Sequence, residues 1–237
     1  MDQSIAGFAS EAPRSFLRDW ALTVLLPGLG CGGFAVAVIS RDIGLEDWIF
    51  VFILGTPALF WFVVGLLQGR LLRALIDRPR VWAVSTWGGG SLALIGGFAT
   101  FGWLTLWIDE ISQVGFDVEH PAAIALFGFS GTIAGLILGF LQAVTMRATW
   151  RERGYWLGCS AGAGALAFGL LWAGINTLTF MAERGIVEFQ EPGFFASIAA
   201  FLLAAALAHN LLTGIALQRL LARRAARQKE AMVGQFD

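Results

Sequence analysis

The stretch "GFLQAVTMRATWRERGYW", residues 139–156, closes one long apolar run and opens the next, and "GLLQGRLLRALIDRPRVW", residues 65–82, repeats its skeleton. Adding 74 to Gly65, Gln68, Arg73 and Trp82 gives Gly139, Gln142, Arg147 and Trp156 without a gap. The match continues from Gly88 and Gly90 to Gly162 and Gly164. Self-similarity of this kind marks an array of like structural units. What one unit is depends on the solvent around it, so composition comes next.

The chain of 237 residues is 57% hydrophobic and 14% charged, with a mean hydropathy of +0.71. That is far more apolar than a soluble domain. Six runs almost free of Asp, Glu, Lys and Arg each reach the roughly 20 residues that cross a bilayer core as a helix. They cover about 20–40, 48–69, 81–108, 121–146, 154–182 and 194–218. The reading is therefore an all-α integral membrane protein of six spans: a segment 1–19, a transmembrane domain 20–223, and a basic tail 224–237. No small-residue cleavage site ends the first run, which reads as an anchor and not a cleaved leader. Cys31 and Cys159 both fall inside spans and form neither a metal spacing nor a disulfide framework. A net charge of −1 points to no nucleic-acid partner. The bilayer is the first partner, and other membrane proteins are candidates.

Positive charge is unevenly placed. One side holds Arg14, Arg18, Arg70, Arg73, Arg78, Arg80, Arg147, Arg151, Arg153, Arg219, Arg223, Arg224, Arg227 and Lys229; the other holds Arg41 and Arg184. By the positive-inside rule both termini are cytoplasmic. The Arg-rich, Lys-poor usage fits a bacterium of high genomic GC content, and the location expected is its inner membrane. The repeat unit is two spans long, so its copies enter the membrane in the same direction. A third, partial copy is expected in the sixth span, where Gln218 and Arg223 keep the Gln-to-Arg spacing, and "RDWAL", Arg18–Leu22, matches "RVWAV", Arg80–Val84. The first span then pairs with the sixth, and three two-helix hairpins (2–3, 4–5 and 6 with 1) close a ring.

The Gly-x-x-Gln-x4-Arg pattern followed by Trp and a glycine-rich helix resembles small multi-pass bacterial membrane proteins of uncharacterised activity. That resemblance implies architecture only. Three two-helix units also resemble mitochondrial carriers, but the Pro-x-[Asp/Glu]-x-x-[Lys/Arg] signature of those carriers is absent here, and with it their transport function.

Each repeated residue is given a structural task. The arginines are expected to snorkel to lipid phosphates and the tryptophans Trp82 and Trp156 to sit in the headgroup belt. Gln68, Gln142 and Gln218 are expected to bond to neighbouring helices at one shared depth, Gln218 reaching Trp20–Thr23. Gly131, Gly135 and Gly139, and likewise Gly158 and Gly162, recur at i, i+4 and are expected to form smooth packing faces. Pro27 with Gly28, Gly30, Gly32 and Gly33 predicts a kink or local unwinding in the first span.

No carboxylate or strong base falls deep inside a span, which argues against a proton relay or an ion-coupled carrier. The candidate ligand-binding residues are His209, Asn210 and Asn176, either as packing groups or, for His209, as an axial ligand of a haem or chlorin; the cofactor itself stays unidentified. "GFSG", Gly128–Gly131, in the fourth span and "AHN", Ala208–Asn210, in the sixth are similar to rhomboid intramembrane proteases. That resemblance implies Ser130 as nucleophile and His209 as base. The second span has no His or Asn for an oxyanion site, the first outward loop is short, and the two residues differ in depth by roughly 7 Å. The reading that results is a non-enzymatic accessory or assembly subunit, or a binder of a lipid-like molecule. A channel or facilitator for a small neutral solute is the alternative, with the protease behind it.

Overall fold

Proline placement sets the helix boundaries. Of the six prolines, Pro13, Pro57, Pro79, Pro121 and Pro192 each stand in the opening turn of a helix. There the missing N–H costs nothing and the fixed φ favours the helical turn. The structure, a computed structural model, describes residues 13–39, 55–73, 76, 78–112, 121–146, 148–186 and 192–233. Among these residues it consists of α1 Pro13–Ile39, α2 Thr56–Leu71, α3 Pro79–Ser112, α4 Pro121–Thr145, α5 Trp150–Glu183 and α6 Pro192–Val233. Four of them, α3 to α6, are long and apolar enough to cross a membrane.

The sixth proline, Pro27, lies inside α1, which continues through it to Ile39. Of the kink or local unwinding expected there, the unwinding does not occur. In an apolar bundle a freed backbone carbonyl has no water to turn to, so the helix holds. The ends of α5 are fixed by side chains and glycine. A capping box opens it, with Glu152 N donating to Thr149 Oγ1 at 3.4 Å and Thr149 N to Glu152 Oε2 at 3.0 Å. Gly185, at φ 65°, closes it: Ile186 N bonds Met181 O and Gly185 N bonds Ala182 O, the Schellman arrangement. Both the first and the last helix outrun the apolar runs. α6 passes through 224–233, which the sequence assigns to a tail, and its 42 residues span about 63 Å.

Each helix packs against its neighbours in the chain, and α6 returns to pack on α1. The bundle is thus a closed ring of six, as expected for the helix 6–helix 1 pair. Large apolar side chains such as Leu26, Leu92, Phe140 and Leu106 point outward, with Leu106 71% exposed. Small residues fill the contacts within. Gly131, Gly135 and Gly139 place α4 directly on α5: a side chain at Gly131 would strike the Gly164 carbonyl, one at Gly135 the Ser160 carbonyl, and one at Gly139 the Ser160 side chain. Gly158 and Gly162 do not form the matching face. Among the described residues nothing lies within 4 Å of a side chain at either, because they point away from α4 while Ser160 and Gly164 point toward it.

Candidate functional site

The three tryptophans that begin the odd-numbered helices meet inside the ring. Trp20, Trp82 and Trp156 are among the largest fully buried side chains, and the Trp82 and Trp156 rings lie 6.2 Å apart. With Phe16, Leu72, Met146, Leu217 and Leu220 they form one core cluster. This corrects the expectation of a headgroup belt for these residues. An indole near the start of each of three converging helices buries far more area in a shared centre than against lipid, and such burial dominates the energetics.

Beside this plug runs a hydrogen-bonded chain of amides. Trp82 Nε1 donates to Gln68 Oε1 at 3.4 Å, Gln68 Nε2 to Asn210 Oδ1 at 2.9 Å, and Asn210 Nδ2 to the Trp20 carbonyl at 2.6 Å. Trp20 Nε1 returns a bond to the Asn210 carbonyl at 2.8 Å. Four helices are joined in one line: α3, α2, α6 and α1. Gln68 faces the start of α3, as expected. Gln142 instead turns to Thr86 of α3, donating at 3.1 Å, and not to the start of α5. At the α1–α6 contact the bonds to Trp20 come from Asn210, two turns deeper than Gln218, which is half-buried.

Past the plug, away from the helix ends that carry it, lies a cavity of about 750 Å³. All six helices line it, with Gly32 of α1, Trp61 of α2, Leu94 of α3, Leu138 of α4, Phe168 of α5 and Leu203 of α6. Its wall is almost wholly apolar, and its volume lies within the range of drug-sized ligand sites. Glycines of its own wall control how closely the helices approach: a side chain at Gly28 would strike Leu203, and one at Gly90 would strike Trp61. The polar residues on the wall are Thr56, Ser91 and His209, with Cys31 opposite. Among the described residues Ser91 Oγ and Trp61 Nε1 are buried with no hydrogen-bond partner, an arrangement that native interiors seldom leave unused.

Of the three candidate ligand-binding residues read from the sequence, His209 lines the cavity; its imidazole also reaches the Ala163 carbonyl of α5. Asn210 belongs to the amide chain. Asn176 is bonded to the Trp172 carbonyl of its own helix and does not line the cavity. Ser130 is fully buried, and among the described residues its Oγ has no hydrogen-bond partner, so no Ser130–His209 bond is formed. Among the described residues no group of His, Cys, Asp and Glu could hold a metal ion. Arg73 and Arg223 are exposed, and Arg147 lies outside the described residues. Reading the sequence alone missed Trp20 as a member of the plug and the cavity as a whole. Comparison with protein-family models, characterised proteins and solved structures finds no match.

Proposed function

We propose that this protein is a non-enzymatic, six-span membrane protein that holds a largely apolar, lipid-like molecule in its central cavity. The observation that carries this reading is the cavity of about 750 Å³ to which all six helices contribute a nearly continuous apolar wall. Binding of such a molecule is driven by the apolar area it covers, and Ser91, Trp61 and His209 offer it a few polar contacts. The closed plug of Trp20, Trp82 and Trp156 favours retention over passage, which ranks a binder ahead of a solute facilitator.

The same reading takes the bundle as three pseudo-repeated hairpins with both termini cytoplasmic, in a bacterial plasma membrane. Its support is a shared register. Eight residues after each tryptophan stands a glycine, Gly28, Gly90 or Gly164, and each faces the neighbouring even-numbered helix, at Leu203, at Trp61, and at Gly131 with Gly135. Trp61 and Gly135 are 74 apart, as are Gln68 and Gln142. Leu203 stands seven residues before Asn210, as Trp61 stands before Gln68 and Gly135 before Gln142. Asn210, and not Gln218, is then the third amide of the repeat.

The test is purification in a mild detergent followed by mass spectrometry of extracted small molecules. The wild-type protein should carry a stoichiometric apolar compound, and Ala167→Phe with Ala206→Phe, which fill the cavity from α5 and α6, should lose it while still melting cooperatively. In a Cys159→Ser background, the bound compound should slow alkylation of Cys31 by an apolar maleimide. A protein that carries no compound and conducts a neutral solute into liposomes would sink this reading in favour of a facilitator.

A further inference from the structure

We infer that the recess between the start of α5 and the outlying part of α6 is a second binding site, for a phosphate group, whose occupant is the headgroup of an anionic phospholipid. The recess holds about 250 Å³ and is lined by Arg151, Arg223 and Arg227, with Thr149, Glu152 and Tyr155. The sign of its charge follows from how these groups are already engaged. Glu152 is the one carboxylate of the lining, and its side chain is only 7% exposed. Arg224 Nε donates to its Oε1 at 3.3 Å and Nη2 to Oε2 at 3.0 Å, while Arg227 Nη2 donates to Oε1 at 3.1 Å. Oε2 also accepts the Thr149 N–H of the capping box. Glu152 is thus a bracket that orients two arginines and has no capacity left for a third.

Among the described residues neither Arg151 nor Arg223 is paired with a carboxylate. The Arg223 guanidinium instead lies over the Tyr155 ring, 5.4 Å from its centroid, which holds it at the rim. The lining therefore carries three guanidinium groups against one saturated carboxylate, and the positive end of the α5 dipole adds to the excess. Planar guanidinium groups match phosphate oxygens two at a time. Depth selects a lipid as the source. Leu220, on the recess wall, is buried in the tryptophan plug, while Trp150 beside Arg151 is 84% exposed, an amphipathic ring at the start of an apolar helix. That is the level of lipid phosphates, and basic recesses between helices at this level bind anionic headgroups. The plug separates this site from the central cavity.

The variant Arg151→Gln/Arg223→Gln leaves the Glu152 bracket whole. Purified protein in neutral detergent is titrated with phosphatidylglycerol, phosphatidylcholine or sodium phosphate and read by native mass spectrometry and melting temperature. The wild type should retain phosphatidylglycerol over phosphatidylcholine, and the variant should bind it roughly thirtyfold more weakly while melting as the wild type does without lipid. A double lysine variant, Arg151→Lys/Arg223→Lys, keeps both charges and should keep the preference. Phosphate that stabilises as much as phosphatidylglycerol overturns the lipid assignment in favour of a free phosphorylated solute. Equal retention of the two lipids by the wild type, or equal binding by the glutamine and lysine variants, overturns the site itself.

Discussion

Asn210 ties α6 to two neighbouring helices at once. Its side chain accepts from Gln68 and donates to the Trp20 carbonyl, so Asn210→Leu removes both bonds and leaves the Gln68 amide with an unmatched donor. Interhelical bonds average about 0.6 kcal/mol, and a stranded polar group adds about 1–3 kcal/mol. The expected loss is about 1–3 kcal/mol, measured by reversible unfolding in detergent. Because Gln68 and Asn210 act as a pair, the double change Gln68→Leu/Asn210→Leu should cost less than the sum of the two, by about 0.5 kcal/mol or more. Additive losses would mean that the bond between them contributes nothing. That an amide of the last helix bonds across to α1 was legible in the sequence, but that Asn210 makes the bonds to Trp20 was not. Gln218 shares the residue type and the spacing to Arg223, whereas Asn210 shares only the place in space, and an amide two turns away satisfies a one-dimensional match equally well.

At the scale of helices, close approach and exposure make opposite predictions for glycines that look alike in sequence. Gly135→Ala drives a methyl into the Ser160 carbonyl, a backbone atom that cannot rotate away, and should cost about 1–3 kcal/mol by forcing α4 off α5. Gly158→Ala meets nothing among the described residues and should be neutral or stabilising by up to about 1 kcal/mol, since alanine is the better helix former. Thermal melts of the two variants decide between packing and composition as the reason for these residues. The helices themselves were legible to within a few residues wherever bilayer thickness sets the length, as for 121–146 against Pro121–Thr145. Their extensions were not. Residues 219–233 alternate Arg with Leu and Ala, a pattern that hydropathy scores as a tail although it suits a helix held by Glu152. The start of α5 could have been read from "TWRE", Thr149–Glu152, whose Thr and Glu are spaced as a capping box.

For the molecule as a whole, charge asymmetry and the ring make one joint prediction. Reporter fusions after residues 75, 150 and 230 should be cytoplasmic and those near 44, 115 and 188 external, and a single inverted loop would break the three-hairpin reading. The ring could be anticipated because "RDWAL" and "RVWAV" match across the chain. The cavity could not. Its wall is built from residues of six separate helices, each ordinary in its own span, and only their convergence creates the space.

The pairing of Trp20 with Asn210 joins residues 190 positions apart and ties the earliest helix to the last. During synthesis, then, the ring cannot shut until α6 has been made. Until α6 is in place the ring is open between α5 and α1, so under the binder reading a hydrophobic guest can enter from that side and lose that route when the chain is complete. Nascent chains arrested before residue 192 should exchange that guest freely with the membrane, and full-length chains should not.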